Sequence, residues 1–175
     1  GVLSNEWYLG YPALKEELAQ HICRNDSVLI LGCGMSTLGN DMSEDGFRSV
    51  TCVDYSSVCV ERMRAEHTGL PGVQYQVMDV TKLEYEDCSW DCVLDKATLD
   101  SLMNTEDDLW QVELMLKESA RVLRPGGAYL CISHSDRSGL LASSTARHSL
   151  PLRLESETFL AKNKASFWLG ALRKT

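Results

Sequence analysis

The chain has 175 residues, 44% hydrophobic and 24% charged, with a net charge of −8, ordinary values for one soluble domain with a full core. No apolar run approaches the roughly 18–20 residues that cross a bilayer, and no charged-then-apolar leader opens the chain. The 17 basic residues are outnumbered by 25 acidic ones and scattered, unlike a nucleic-acid surface, where phosphate neutralisation supplies much of the affinity. The expectation is a cytoplasmic, monomeric domain spanning 1–175, with no nucleic-acid or membrane partner. Its acidic surface either suits a basic protein partner or simply keeps it soluble. The seven cysteines are odd in number, lack Cys-x-x-Cys spacing and have no paired histidines nearby, so no metal site is expected. They read as reduced and structural.

In chain order, Pro12 opens a helix with Leu14, Leu18 and Ile22 at helical spacing. Val28 to Leu31 is apolar on both faces, as in a parallel strand covered on both sides. A helix over Met35 to about Asp45 and a strand over Val50 to Val53 follow. Ser56 caps a helix running to about His67. Val73, Tyr75 and Val77 alternate as a third strand, and Trp90 to Leu94 form a fourth. Thr105 and Asp108 resemble a capping box ahead of the stripe Leu109, Val112, Leu116, Ala120 and Leu123. Arg124-Pro125-Gly126-Gly127 stops that helix and turns into a fifth strand, Ala128 to Ser133. Residues 135–149 are a loop or a short helix, and strands over about Leu152 to Leu160 and Ala165 to Leu172 form a hairpin turning at Asn163. The predicted fold is α/β: one doubly wound, Rossmann-like sheet of about seven strands, mostly parallel, with an antiparallel C-terminal hairpin.

Ligands of such sheets lie beyond the carboxyl ends of the strands. Gly32-Cys33-Gly34 sits there after strand one, where glycine lets the backbone turn and approach a ligand. Asp54, 20 residues beyond Gly34, ends strand two, the place of an acid that accepts both ribose hydroxyls. Asp79 follows strand three, where it can accept from an adenine amino group. Asp95 ends strand four, within reach of a ligand ammonium or a substrate. A nicotinamide cofactor would use the same loop, but its Gly-x-Gly-x-x-Gly fingerprint has Thr37 in the third position, and Gly39 is out of register.

Five segments, Leu29 to Ser36, Val53 to Ser57, Met78 to Val80, Asp95-Lys-Ala-Thr-Leu-Asp100 and Val122 to Gly127, together resemble class I S-adenosylmethionine-dependent methyltransferases. The Asp95 to Asp100 element resembles a narrower eukaryotic branch that includes lysine methyltransferases of translation elongation factor 1-alpha. The resemblance runs from about Glu6 to the end. It implies S-adenosylmethionine as donor, S-adenosylhomocysteine as product, and a donor site at Gly32, Cys33, Gly34, Asp54, Tyr55, Ser56, Met78, Asp79, Val80, Asp95 and Lys96. It implies a protein substrate, elongation factor 1-alpha foremost, with Asp95, Thr98 and Asp100 orienting the incoming amine and Trp7, Tyr8 and His134 on the substrate side. Each has a plainer reading beside it. Thr98 and Asp100 read equally as helix caps, Lys96 as a structural ion pair, and Trp7 and Tyr8 as sheet-edge packing. His134 reads also as a surface residue. A small-molecule acceptor or a non-catalytic donor-binding scaffold are the alternatives. The chain departs from the branch's Asp-Lys-Gly at Ala97, whose Cβ is expected to crowd the donor loop. The branch carries an aromatic-rich lid upstream of the position of Trp7, and that segment is expected to be missing here.

Overall fold

A computed structural model describes residues 6–67, 69–103, 109–162 and 165–175. Seven strands form one sheet in the order β3-β2-β1-β4-β5-β7-β6. They are β1 (Ser27–Leu31), β2 (Ser49–Asp54), β3 (Val73–Val77), β4 (Trp90–Lys96), β5 (Leu123–Ser133), β6 (Leu152–Lys162) and β7 (Ala165–Lys174). The ladders β2–β3, β1–β2, β1–β4 and β4–β5 are parallel, while β7 runs antiparallel to both β5 and β6. The chain starts at the centre of the sheet, builds outward one way through β3, then crosses to β4. The switch point therefore lies between β1 and β4.

The helices are α1 (Tyr11–Leu18), α2 (Leu38–Glu44), α3 (Ser57–Glu66), α4 (Thr98–Leu102), α5 (Leu109–Val122) and α6 (Ser138–Arg147). The two apolar faces of the sheet explain its strand sequences. Val28 and Ile30 of β1 join Leu14, Leu18, Met42, Val60 and Met63 in one core layer. Leu29 and Leu31 join Val112, Leu116, Tyr129, Leu141 and Trp168 in the other. Period-two alternation with both sides covered yields the continuous apolar runs of a buried parallel strand.

Several boundaries move relative to the sequence-based expectation. Helix α1 ends at Leu18. Ile22 is still buried, but it reaches the core from a turn closed by its N–H on Leu18 O. Helix α2 starts at Leu38 rather than Met35, because residues 35–37 continue the loop. The 135–149 segment holds a true helix, α6. Strand β5 begins at Leu123, but its pairing jumps from Trp90–Leu123 to Cys92–Ala128, so Arg124-Pro-Gly-Gly127 bulges out with Gly126 at φ 79°. The capping pair Thr105 and Asp108 and the turn at Asn163 lie outside the described residues.

Candidate functional site

A cleft runs along the carboxyl ends of the strands at the switch point, where doubly wound sheets take their ligands. Its two lobes, of about 330 and 530 Å³, share Gly32, Asp54, Tyr55, Thr98 and Ser101. Trp7, Met35, Ser56 and Lys96 wall the first lobe, and Met78, Asp79, Val80 and Trp110 the second. Three aromatic side chains stand exposed on its walls, Trp7 at 58%, Tyr55 at 83% and Trp110 at 55%.

The glycine loop has its composition for two different reasons. Both glycines sit at positive φ, Gly32 at 53° and Gly34 at 50°, where a Cβ is strained. A Cβ on Gly32 would also lie 2.4 Å from Thr98 Oγ1, whereas one on Gly34 meets nothing within 4 Å. Gly32 is thus required by packing beneath the loop, and Gly34 leaves an open cradle toward the cleft. Gly39, out of register for a dinucleotide fingerprint, is there for packing. A Cβ on it would meet Cys52 Sγ at 2.4 Å, so its absence lets α2 approach β2.

Asp54 fastens this loop to the next strand end. One carboxylate oxygen accepts from Gly34 N at 2.8 Å and the other from Ser56 N at 2.9 Å. The Ser56 hydroxyl accepts from Cys59 N and caps α3. Cys33 offers the cleft only its backbone. Its thiol is buried in the core, and a hydrogen bond with Cys52, together with burial, pushes that thiol up, far from a reactive thiolate. Asp79 is exposed, and one of its oxygens accepts from both Thr81 N and Thr81 Oγ1 at 2.8 Å, an Asx turn.

The end of β4 corrects the expectation for Asp95 and gives Lys96 its ion-pair reading. Asp95 does not line the cleft. It is 0% exposed and accepts from Thr98 N (2.9 Å), Leu99 N (3.2 Å) and Tyr129 OH (2.8 Å). It caps α4 from below and has no face left for a ligand ammonium. Burial pushes its carboxyl up to about 6, against the pull of those three donors. Lys96 does line the cleft, but its Nζ pairs with Glu6 Oε1 at 2.7 Å and donates to Trp7 O at 2.8 Å. Glu6 also accepts from Ser36 Oγ and Thr37 N. Lys96 and Glu6 thereby latch the N-terminal segment onto the glycine loop and set Trp7 over the cleft. Thr98 donates to Leu31 O at 2.8 Å, holding α4 to β1. Ala97 adopts φ 72°, so its Cβ costs backbone strain as well as any crowding.

Asp100, Tyr8 and His134, read separately in the sequence, meet in one cluster. Asp100 Oδ1 accepts from Ser133 Oγ (2.8 Å) and Arg137 Nη2 (2.7 Å). Its Oδ2 accepts from the Tyr8 hydroxyl (3.0 Å) and lies 3.2 Å from His134 Nδ1. Burial opposes charge on Asp100, but the bonds from Ser133, Arg137 and Tyr8 outweigh it and hold the carboxyl below the ordinary carboxylate range. The Tyr8 ring packs against Phe167 of β7 with centroids 5.1 Å apart. Glu6, Ser133, Arg137, Phe167 and Trp110 carry no local motif. They become visible only once the fold brings β5, β7 and the N-terminal segment together.

The site offers an open backbone cradle, a carboxylate at the end of β2, apolar and aromatic walls and a polar cluster beside it. That set suits a nucleoside carrying a short polar chain. No residue of 135–149 lines the cleft; α6 packs against α5 and β6 instead.

The methyltransferase-domain family matches residues 28–127. The mouse and human proteins named eEF1A lysine and N-terminal methyltransferase are 38% and 40% identical over 136 and 131 residues, which cover 76% and 73% of this chain but 20% and 19% of theirs. Mouse EEF1A lysine methyltransferase 4 is 35% identical over 136 residues, 73% of this chain and 53% of its own. The chain thus spans about a fifth to a half of the curated relatives it matches. Among solved structures, an S-adenosylmethionine-dependent methyltransferase from Methanosarcina mazei has a TM-score of 0.72 at 17% identity, covering 90% of this chain and 96% of that one. The 1,6-didemethyltoxoflavin-N1-methyltransferase of Burkholderia thailandensis, solved with S-adenosylhomocysteine, has a TM-score of 0.69 at 21% identity, covering 94% and 77%.

Proposed function

This chain belongs to the methyltransferase-domain family, and from that premise we propose that it transfers the methyl group of S-adenosylmethionine to a lysine side chain of a protein, with elongation factor 1-alpha as the first candidate acceptor. The observation that carries the donor half is the pairing of Asp54 with Gly34 N beside an open backbone cradle. Asp54 accepts the ribose hydroxyls, the Gly32–Gly34 backbone receives the methionine portion, and Tyr55, Met78, Asp79 and Val80 enclose the adenine. When bound, the donor supplies an electrophilic methyl on a cationic sulfur. The protein's contribution is to hold the acceptor nitrogen in line and keep water out, which can be worth roughly 7–11 kcal/mol.

Two observations favour a protein acceptor over a small molecule. The named relatives at 35–40% identity are eEF1A methyltransferases, and α6 leaves the cleft unroofed. We take 1–175 as one catalytic domain, monomeric and cytoplasmic. Among the described residues no helix is long and apolar enough to cross a membrane.

Incubation with labelled donor and a cytoplasmic extract, followed by mass spectrometry of the labelled bands, tests this reading. A methyl group on elongation factor lysines, absent with Asp54→Ala, is the expected result. Label confined to small molecules contradicts it.

A further inference from the structure

The cluster of Tyr8, Asp100 and His134 fixes which ring nitrogen of His134 carries the proton. A tyrosine hydroxyl has one hydrogen to give. Donated to Asp100 Oδ2 at 3.0 Å, it leaves the Tyr8 oxygen as an acceptor facing His134 Nδ1 at 3.1 Å. An Nδ1–H then satisfies both that oxygen and the carboxylate 3.2 Å away. The reverse assignment, Tyr8 donating to a bare Nδ1, sets Asp100 Oδ2 against two lone-pair atoms. Asp100 is buried and held ionised by Arg137 and Ser133, which favours Nδ1–H further.

Neutral His134 therefore keeps a lone pair on Nε2. The side chain is 52% exposed, and no hydrogen bond to Nε2 is seen among the described residues. His134 follows β5 directly, Asp100 lies on the helix that follows β4, and Tyr8 adjoins Trp7, which lines the cleft. The cluster thus flanks the cleft, beside Trp7 and Ser101 of its wall.

We propose that His134 Nε2 is the general base that takes the proton of the acceptor ammonium, with Asp100 and Tyr8 as positioning residues that set its tautomer and stabilise the imidazolium. This rests on the lysine reading above. A lysine ammonium has no lone pair. When Nε2 takes one of its protons, the N–H electron pair stays on nitrogen. That pair forms the new N–C bond as the methyl carbon's bond to sulfur breaks, its electrons leaving with sulfur as a neutral thioether. The product is a methylated ammonium, and the proton on His134 passes to solvent. The groups facing the ring are Asp100 on α4 and Tyr8 on the N-terminal segment, with Arg137 beyond β5 paired to the far oxygen of Asp100. Phe167 of β7, whose ring packs on Tyr8, adds no charge.

Two readouts on the full chain test this. Nitrogen-15 NMR without donor or acceptor reads the tautomer of neutral His134, and Nδ1–H is expected. In the pH profile of kcat/KM on a lysine acceptor, the wild type should rise to a plateau whose inflection coincides with the NMR titration of His134. His134→Gln should be about 10²–10⁴-fold slower, and its rate should keep climbing toward the amine's own pKa near 10.4. An Nε2–H tautomer, or a His134→Gln profile shaped like the wild type's, overturns the base while leaving lysine methylation intact. No transfer to any lysine by the wild type removes the lysine reading and the base together.

Discussion

Ala97 sits at φ 72°, in the left-handed region that costs an L-residue roughly 1–2 kcal/mol. Part of that is regained because alanine has less freedom than glycine in the unfolded chain. Ala97→Gly is therefore expected to raise stability by about 0.5–1 kcal/mol in denaturant unfolding, and a loss of stability would show that the Cβ packs favourably. At Asp95 the effect depends on pH. Its folded pKa, pushed up to about 6 by burial, lies above the ordinary 3.8. Between those values the folded state holds a proton that the unfolded chain has lost, so this group's contribution to stability falls as pH rises through the window. Asp95→Asn keeps the neutral shape, so its stability relative to wild type should climb by about 2–2.5 kcal/mol from pH 4 to pH 7, at about 1.4 kcal/mol per pKa unit. A pH-independent difference would mean that the three donors already neutralise the cost.

Among the elements, the N-terminal segment is held over the cleft by the Lys96–Glu6 ion pair together with the Tyr8–Asp100 hydrogen bond. Lys96 and Glu6, 4% and 15% exposed, form a pair whose partners are costly to separate. Lys96→Met should lower stability by about 3 kcal/mol and weaken donor binding as Trp7 leaves the cleft. The double change Lys96→Met with Glu6→Gln should recover much of the stability, because no charge is then left unpaired. Additive losses would contradict the latch. The helix–strand alternation was legible in the sequence because both strand faces are covered and the strands read as continuous apolar runs. Gly32, Gly34 and Asp54 were legible because they are consecutive stops along one edge of the sheet. Asp95 misled: an acid at a strand end looks the same whether it faces the ligand or, as here, caps α4 from below and binds Tyr129. Glu6, Arg137 and Phe167 were illegible, because their partners lie on other strands or far along the chain and no local spacing marks them. Thr98 to Leu102 carried a motif but was too short to show a helical period.

For the whole molecule, the net charge of −8 would steer a basic partner, and the cleft is the site proposed for the donor. The same sheet serves nucleotides of several kinds, so donor identity is the claim on which all the rest depends. Calorimetric titration of the chain with S-adenosylmethionine, and separately with NAD, tests it most directly. The expected result is one molecule of S-adenosylmethionine bound per chain, at least tenfold weaker binding in Asp54→Ala, and no heat with NAD. Binding of NAD in place of S-adenosylmethionine, or affinity for the latter untouched by Asp54→Ala, would contradict it.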